Sequence, residues 1–60
     1  MNKNLWWGYL HKNGTLQVKR YFGKLDIIEA IESPFVSQVS GPWECDSREE
    51  ALIRLEEELQ

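Results

Sequence analysis

The sequence predicts a single small α+β domain of order ββαβα, with a three-stranded, mainly antiparallel sheet and two helices packed on one face. Three observations lead to this prediction. Asn13-Gly14 separates two runs rich in aromatic and β-branched residues. Two later segments have apolar residues at helical spacing and begin with capping residues. A strand-like segment lies between them. At 60 residues the chain has room for one domain, residues 1–60.

The stretch from Leu5 to Phe22 is predicted to form a β-hairpin. Asn-Gly favours a two-residue type I′ turn, because both central positions need a positive φ. That turn would place Tyr9 opposite Val18 and sort the side chains into two faces. The face expected against the core carries Leu5, Trp7, Tyr9, His11, Leu16, Val18, Arg20 and Phe22. The face expected in solvent carries Trp6, Gly8, Leu10, Gln17, Lys19 and Tyr21. A β-bulge near Gly8 would exchange part of this assignment.

The segment after the hairpin predicts a helix of about two turns followed by a strand. Asp26 is expected to cap this helix, Glu29 to complete a capping box, and Pro34 to end it. Phe35–Cys45 has strand-forming residues but is interrupted by Gly41-Pro42, which indicates a kink. If the connection between the second and third strands is right-handed, the third strand can lie beside the first, in the order 2-1-3.

Residues 47–60 predict the second helix. Ser47 is expected to cap it and Glu50 to complete the capping box. A stripe of apolar residues follows at helical spacing: Ala51, Leu52, Leu55 and Leu59. The core of the domain is expected to combine part of this stripe with residues of the other elements, namely Trp7, Val18, Ile28, Ile31, Val39, Leu52 and Leu55.

The composition excludes several kinds of site. Cys45 is the one cysteine, so no internal disulfide can form, and together with His11 it cannot make a usual structural zinc site. No run approaches the roughly 20 apolar residues of a membrane span, and the N-terminus lacks the pattern of a signal peptide. We therefore expect a cytoplasmic protein with no metal, no cofactor and no membrane contact.

Residues that carry catalysis are sparse. His11 lies beside the turn, a position typical of a solvated or locally bonded histidine. Cys45 would need a nearby base or a lowered pKa to act as a nucleophile, and a single cysteine near a strand end is more typically a small buried side chain. Asp46, Glu49 and Glu50 are explained as capping residues. The sequence predicts no enzymatic activity and no catalytic residue.

The net charge of −3 is unevenly distributed along the chain. Residues 1–24 hold five cations and no acid, whereas residues 25–60 hold ten acids and two arginines. Five of the seven aromatic residues also belong to the basic part. This asymmetry indicates either a basic contact surface or two segments that attract each other.

The predicted solvent face of the hairpin is the best candidate binding site. It brings Trp6, Lys19 and Tyr21 together, with Gln17 nearby. Exposed aromatic residues on a sheet face are typical of protein interfaces, so we predict a non-enzymatic interaction module that binds a protein partner or itself. The alternative is nucleic-acid binding, because single strands stack on aromatic platforms flanked by cations. A third interpretation is that Trp6 and Tyr21 are an opposed pair that stabilises the hairpin.

Four segments, WWGYLHKNG (6–14), VKRYF (18–22), SPFV (33–36) and REEA (48–51), together resemble small uncharacterised proteins encoded by phages and by phage-like regions of bacterial genomes. This resemblance implies a phage-type accessory protein and no particular activity. The segment WECDSREEA (43–51) is also similar to the strand-to-helix junction of arm-type DNA-binding domains in tyrosine recombinases, which place a three-stranded sheet in the major groove. This chain departs from that pattern, since a helix precedes its third strand and its second half is acidic.

Overall fold

Residues 4–59 are described by a computed structural model, which contains the five predicted elements. These are β1 (Leu5–His11), β2 (Leu16–Arg20), α1 (Lys24–Glu32), β3 (Val36–Glu44) and α2 (Arg48–Glu58). The strands form one open sheet of order β2-β1-β3, and both pairings are antiparallel. The predicted α+β class is confirmed, and the strand order is the one that the sequence left possible.

The hairpin turns through three residues instead of two. The Gly14 N–H donates to the His11 carbonyl at 2.9 Å, and the His11 N–H donates to the Thr15 carbonyl at 2.8 Å. Gly14 has a φ of +94°, whereas Asn13 does not have a positive φ. This is the pattern of a type I turn followed by a left-handed glycine. The predicted type I′ turn is therefore wrong.

The longer turn shifts the pairing of β1 with β2 by one residue from the predicted register. Gly8 lies opposite Val18, Trp7 opposite Lys19, and Tyr9 opposite Gln17. Because side chains alternate along a strand, a shift of one residue in one strand changes which side chains share a face. One face of the hairpin carries Trp6, Gly8, Leu10, Leu16, Val18 and Arg20, and the other carries Trp7, Tyr9, His11, Gln17 and Lys19.

Helix α2 packs on the face that carries Gly8 and Val18. A Cβ placed on Gly8 would lie 2.8 Å from Cδ2 of Leu55, so the helix touches the backbone of β1 at this point. The core on this side consists of the buried residues Val18, Trp43, Cys45, Ala51 and Leu55, with Trp6, Leu16, Leu52 and Leu59 packed around them.

Helix α1 lies on the opposite face, where it packs mainly along β3. Its buried residue, Ala30, borders the same groove as Trp7 and Tyr9. Ile27 and Ile31 lie beside β3. The prediction that both helices pack on one face is therefore wrong. Because β1 has large aromatic side chains on both faces, a single layer of helices could not cover them.

The helix ends agree with the predicted caps at α2 but not at α1. Ser47 Oγ accepts a hydrogen bond from the Glu50 N–H at 3.2 Å, and the Glu50 carboxylate accepts from the Asp46 N–H at 3.2 Å. Helix α1 begins earlier than predicted, after Gly23, and has no side-chain cap. The predicted cap, Asp26, lies inside its first turn.

The predicted core is confirmed for Trp7, Val18 and Leu55, which are buried. Val39 and Leu52 are half-buried. Ile28 and Ile31 were expected inside, but they are 40% and 64% exposed, because α1 directs Ala30 towards the sheet instead.

The predicted kink at Gly41-Pro42 is present, since the register between β1 and β3 shifts between Trp6 and Gly8. Neither helix in residues 4–59 has the length and apolar character needed to cross a membrane.

The close contact between α2 and β1 at Gly8 leads to a first prediction. An alanine Cβ at this position would lie 2.7 Å from the Gln17 carbonyl oxygen and 2.9 Å from Cγ1 of Val18. Since the first of these atoms is backbone, we expect Gly8→Ala to lower the free energy of unfolding by about 1–3 kcal/mol. Urea denaturation followed by tryptophan fluorescence measures this loss.

Gly14→Asn is the matched control for Gly8→Ala, because nothing lies within 4 Å of a Cβ at Gly14 and asparagine tolerates a positive φ. We expect it to cost far less than Gly8→Ala. Equal losses for the two variants would contradict the tight contact at Gly8.

Candidate binding groove

The four residues of the predicted binding surface do not lie together. Trp6 packs against the core under α2 and lies opposite Arg20 in the hairpin. Gln17 and Lys19 point to the other face of the sheet. Tyr21 follows the end of β2, where its N–H donates to the Leu5 carbonyl at 2.8 Å. The predicted surface is therefore divided between two faces, and Trp6 and Tyr21 are not an opposed pair.

The structure instead forms a groove of about 640 Å³ between the hairpin and α1, which we call the hairpin groove. It exists because α1 crosses the sheet face near β3 and leaves the part of that face near β2 uncovered. Its lining includes Trp7, Tyr9, Lys19, Asp26, Glu29 and Ala30. Of the four residues of the predicted surface, Trp6 and Lys19 also line this groove, whereas Gln17 and Tyr21 do not.

Two aromatic side chains of β1 contribute to the apolar lining of the groove. The ring centroids of Trp7 and Tyr9 are 5.6 Å apart, with an angle of 34° between the ring planes. Trp7 is only 3% exposed, and its buried Nε1 has no hydrogen-bond partner among residues 4–59. Tyr9 is half-buried and packs on this fixed ring. It therefore offers apolar surface to a ligand, and its side chain loses little conformational entropy on binding.

The two sides of the groove carry opposite charges. Lys19 extends from β2 on the groove face of the sheet, whereas Asp26 and Glu29 extend from α1, and Arg20 borders the groove from the opposite face at the end of β2. Within residues 4–59 no ion pair shorter than 4.0 Å joins these two sides. The charged groups are therefore available to a ligand, and they would orient a ligand that carries both signs.

Arg20 is held in place at the end of the hairpin. Its guanidinium lies 5.6 Å from the centroid of the Trp6 ring and 5.9 Å from that of Phe22. Its Nη2 also donates to Oδ1 of Asn4 at 3.2 Å. Cation–π contacts at exposed positions contribute about 0.5–1 kcal/mol each, so Arg20 is a positioned cation and not a freely mobile one.

The two residues considered for catalysis lie at opposite ends of β1. His11 is the last residue of this strand; its ring stacks on Phe35 at 6.1 Å, and its Nδ1 accepts a hydrogen bond from the Asn13 N–H at 3.2 Å. The Cys45 N–H donates to the carbonyl of Asn4, just before the strand begins. Seven residues of extended strand separate the two ends, so His11 cannot act as a base for Cys45.

Cys45 is buried, and burial is the main reason that the pKa of its thiol is raised. The carboxylates of Glu50 and Asp46 raise the pKa further, and Arg54 opposes them. A raised pKa keeps the thiol protonated, which is the opposite of what activates a nucleophilic cysteine. In the part of the chain that is described, no three His, Cys, Asp or Glu side chains are grouped to hold a metal ion.

The chain matches no protein-family model, no curated protein and no solved structure. The resemblances to phage-encoded proteins and to recombinase arm domains therefore stay predictions.

Sequence reasoning missed the hairpin groove, although one signal for it is present. β1 alternates Trp6 and Leu10 with Trp7 and Tyr9, so both of its faces are apolar. A strand of this kind is typically covered on both sides, which would have placed one helix on each face.

The burial of Cys45 leads to a second prediction. At a pH near the ordinary thiol pKa of about 8.5, the raised pKa keeps Cys45 protonated, and its burial blocks access. We expect iodoacetamide to alkylate native Cys45 at least tenfold more slowly than the denatured chain, as followed by mass spectrometry. Native protein that reacts as fast as the denatured chain at this pH would contradict the buried position.

Proposed function

We propose that this protein is a non-enzymatic interaction module that binds an extended segment of a partner protein in the hairpin groove. The observation that carries the proposal is the combination of a rigid aromatic lining with sides of opposite charge. Aromatic side chains near the centre of an interface contribute most of its binding energy, and charged groups around them select the partner.

The edge of the sheet beside the groove adds a way to hold such a segment. Among the described strands, β2 pairs with β1 alone. The Tyr21 N–H points towards β1, and in an antiparallel pair this direction alternates along the strand. The N–H and carbonyl groups of Leu16, Val18 and Arg20 therefore point away from the sheet, where an added strand would find hydrogen-bond partners.

The charges favour a protein over a nucleic acid. Lys19 and Arg20 suit phosphate groups, and the aromatic rings suit bases. Asp26 and Glu29, however, line the same groove and would repel a phosphate backbone. A polypeptide can place an acidic side chain near Lys19 and a basic one near Asp26, so both sides of the groove are matched. The phage-type setting and the cytoplasmic location are further parts of this proposal, and both rest on the sequence alone.

The test of this proposal is selection of a random peptide display library on the protein, with the affinity of enriched peptides then measured by fluorescence anisotropy. We expect Tyr9→Ala to weaken binding about tenfold or more, because it removes the accessible part of the aromatic lining. Lys19→Glu and Asp26→Lys should each weaken binding several-fold, since exposed ion pairs contribute about 0.2–1 kcal/mol each.

Lys12→Glu is the matched control for Lys19→Glu, because it makes the same charge change in the same hairpin, at an exposed turn position. Peptides that bind these variants as tightly as the original protein would place binding outside the groove and overturn the proposal, and so would a selection without enrichment. Tight binding of a labelled single-stranded oligonucleotide that falls steeply with salt and is lost in Lys19→Glu would favour the nucleic-acid alternative.

A further inference from the structure

Exposed apolar side chains are concentrated around α1. Among residues 4–59, six large hydrophobic residues are exposed, and five of them fall between residues 22 and 35. These five, which we call the apolar ridge, are Phe22, Leu25, Ile28, Ile31 and Phe35, with exposures between 40% and 82%. Soluble proteins seldom leave a contiguous apolar surface of this kind uncovered, and such surfaces mark interaction sites.

The sheet of its own chain leaves the ridge largely uncovered, although Ile31 borders β3. Leu25, Ile28 and Ile31 follow each other at a spacing of three residues, so they lie along one side of α1. Ala30, which is buried against the sheet, is two residues from Ile28 and therefore lies on the other side of the helix. Within residues 4–59 no other element covers the ridge, which leaves it open to another molecule.

We infer that a second copy of this chain covers the apolar ridge, with the two α1 helices antiparallel about a two-fold axis at Ile28. The order of side chains along α1 is complementary to itself in this arrangement. Ile28 lies against Ile28 of the second copy, and Leu25 and Ile31, each three residues from the axis, lie against one another. A two-fold interface of this type requires such self-complementarity.

The charges at the two ends of α1 fit the same axis. Lys24 and Glu32, the first and last residues of the helix, are each four residues from Ile28. Antiparallel packing therefore places Lys24 of each copy beside Glu32 of the other, whereas parallel packing would place like charges together. It also sets the two helix dipoles in opposite directions, which is favourable. This pattern of charge favours a second copy over an unrelated partner.

Phe22 and Phe35 extend the contact beyond the helix. They lie just outside the two ends of α1 and are 82% and 64% exposed, and the axis places the helix end next to Phe22 in one copy beside the helix end next to Phe35 in the other. A helix of nine residues is only about 13 Å long, so the interface is at the small end of specific interfaces. The dimer is therefore weak and exchanges rapidly with the monomer.

The dimer surface is separate from the part of the hairpin groove that carries the proposed function. Asp26, Glu29 and Ala30 line the groove, whereas Leu25, Ile28 and Ile31 do not. Phe22 is the one ridge residue that borders both surfaces. Self-association would leave two grooves open, which makes the dimer a bivalent form of the module.

Sedimentation velocity over a wide range of concentrations tests this inference. The mass of the original protein should rise with concentration from 7.1 kDa towards twice that value. Ile28→Glu should weaken the dimer at least tenfold, because both copies place a charge on the axis. Leu25→Glu, at a position that is 70% exposed, should do the same without affecting the fold. Ile53→Glu is the matched control, since Ile53 is exposed on α2, and it should leave association unchanged.

Exchange of the charges at the two ends of α1 distinguishes the proposed antiparallel dimer from nonspecific apolar association. Lys24→Glu should weaken the dimer several-fold, and the double variant Lys24→Glu with Glu32→Lys should restore it. A protein that stays monomeric at every concentration overturns the inference, as does association that is insensitive to Ile28→Glu and Leu25→Glu. Failure of the double variant to restore the dimer overturns the antiparallel arrangement. None of these results depends on peptide binding in the groove.

Discussion

The contact of α2 with the backbone of β1 at Gly8 is the constraint on which the rest of the structure depends. With no side chain at Gly8, Leu55 lies directly on the strand and is completely buried. This allows an eleven-residue helix to form a dense core with Val18, Trp43 and Cys45. In a chain of 60 residues with no disulfide, one such tightly packed core carries most of the stability that the domain can have.

Because α2 packs on the face of the sheet that carries Gly8, the aromatic side chains of Trp7 and Tyr9 lie on the opposite face. Burial of these side chains requires a second element on that face. Helix α1 supplies only part of this burial, because it is short and buries little more than Ala30 against the sheet. What it leaves uncovered becomes the hairpin groove, and the apolar residues it cannot bury become the ridge. Both candidate interaction surfaces therefore arise from the same incomplete second layer.

The distribution of charge along the sequence has a structural counterpart in this second layer. The basic hairpin and the first acidic residues after it, Asp26 and Glu29, lie on the two sides of one groove. The two interpretations of the asymmetry, a contact surface and an attraction between segments, are thus not exclusive. No direct ion pair joins the two sides within residues 4–59, and the opposite charges stay available to a partner.

The sequence by itself determined the elements, their order and the cap of α2, because turns, caps and apolar spacing are local chemistry. The tertiary structure alone decided the hairpin register and the side of the sheet that each helix covers. Asn13-Gly14 is compatible with turns of two or three residues, and the choice between them moves the pairing by one position. The length of the turn depends on how Gly8 and Val18 pack against Leu55. Leu55 is far from both of these residues in the chain, so local sequence cannot report this contact. Ile28 and Ile31 illustrate the same limit, since their spacing predicts an apolar helix face but not whether the sheet or a second molecule covers it.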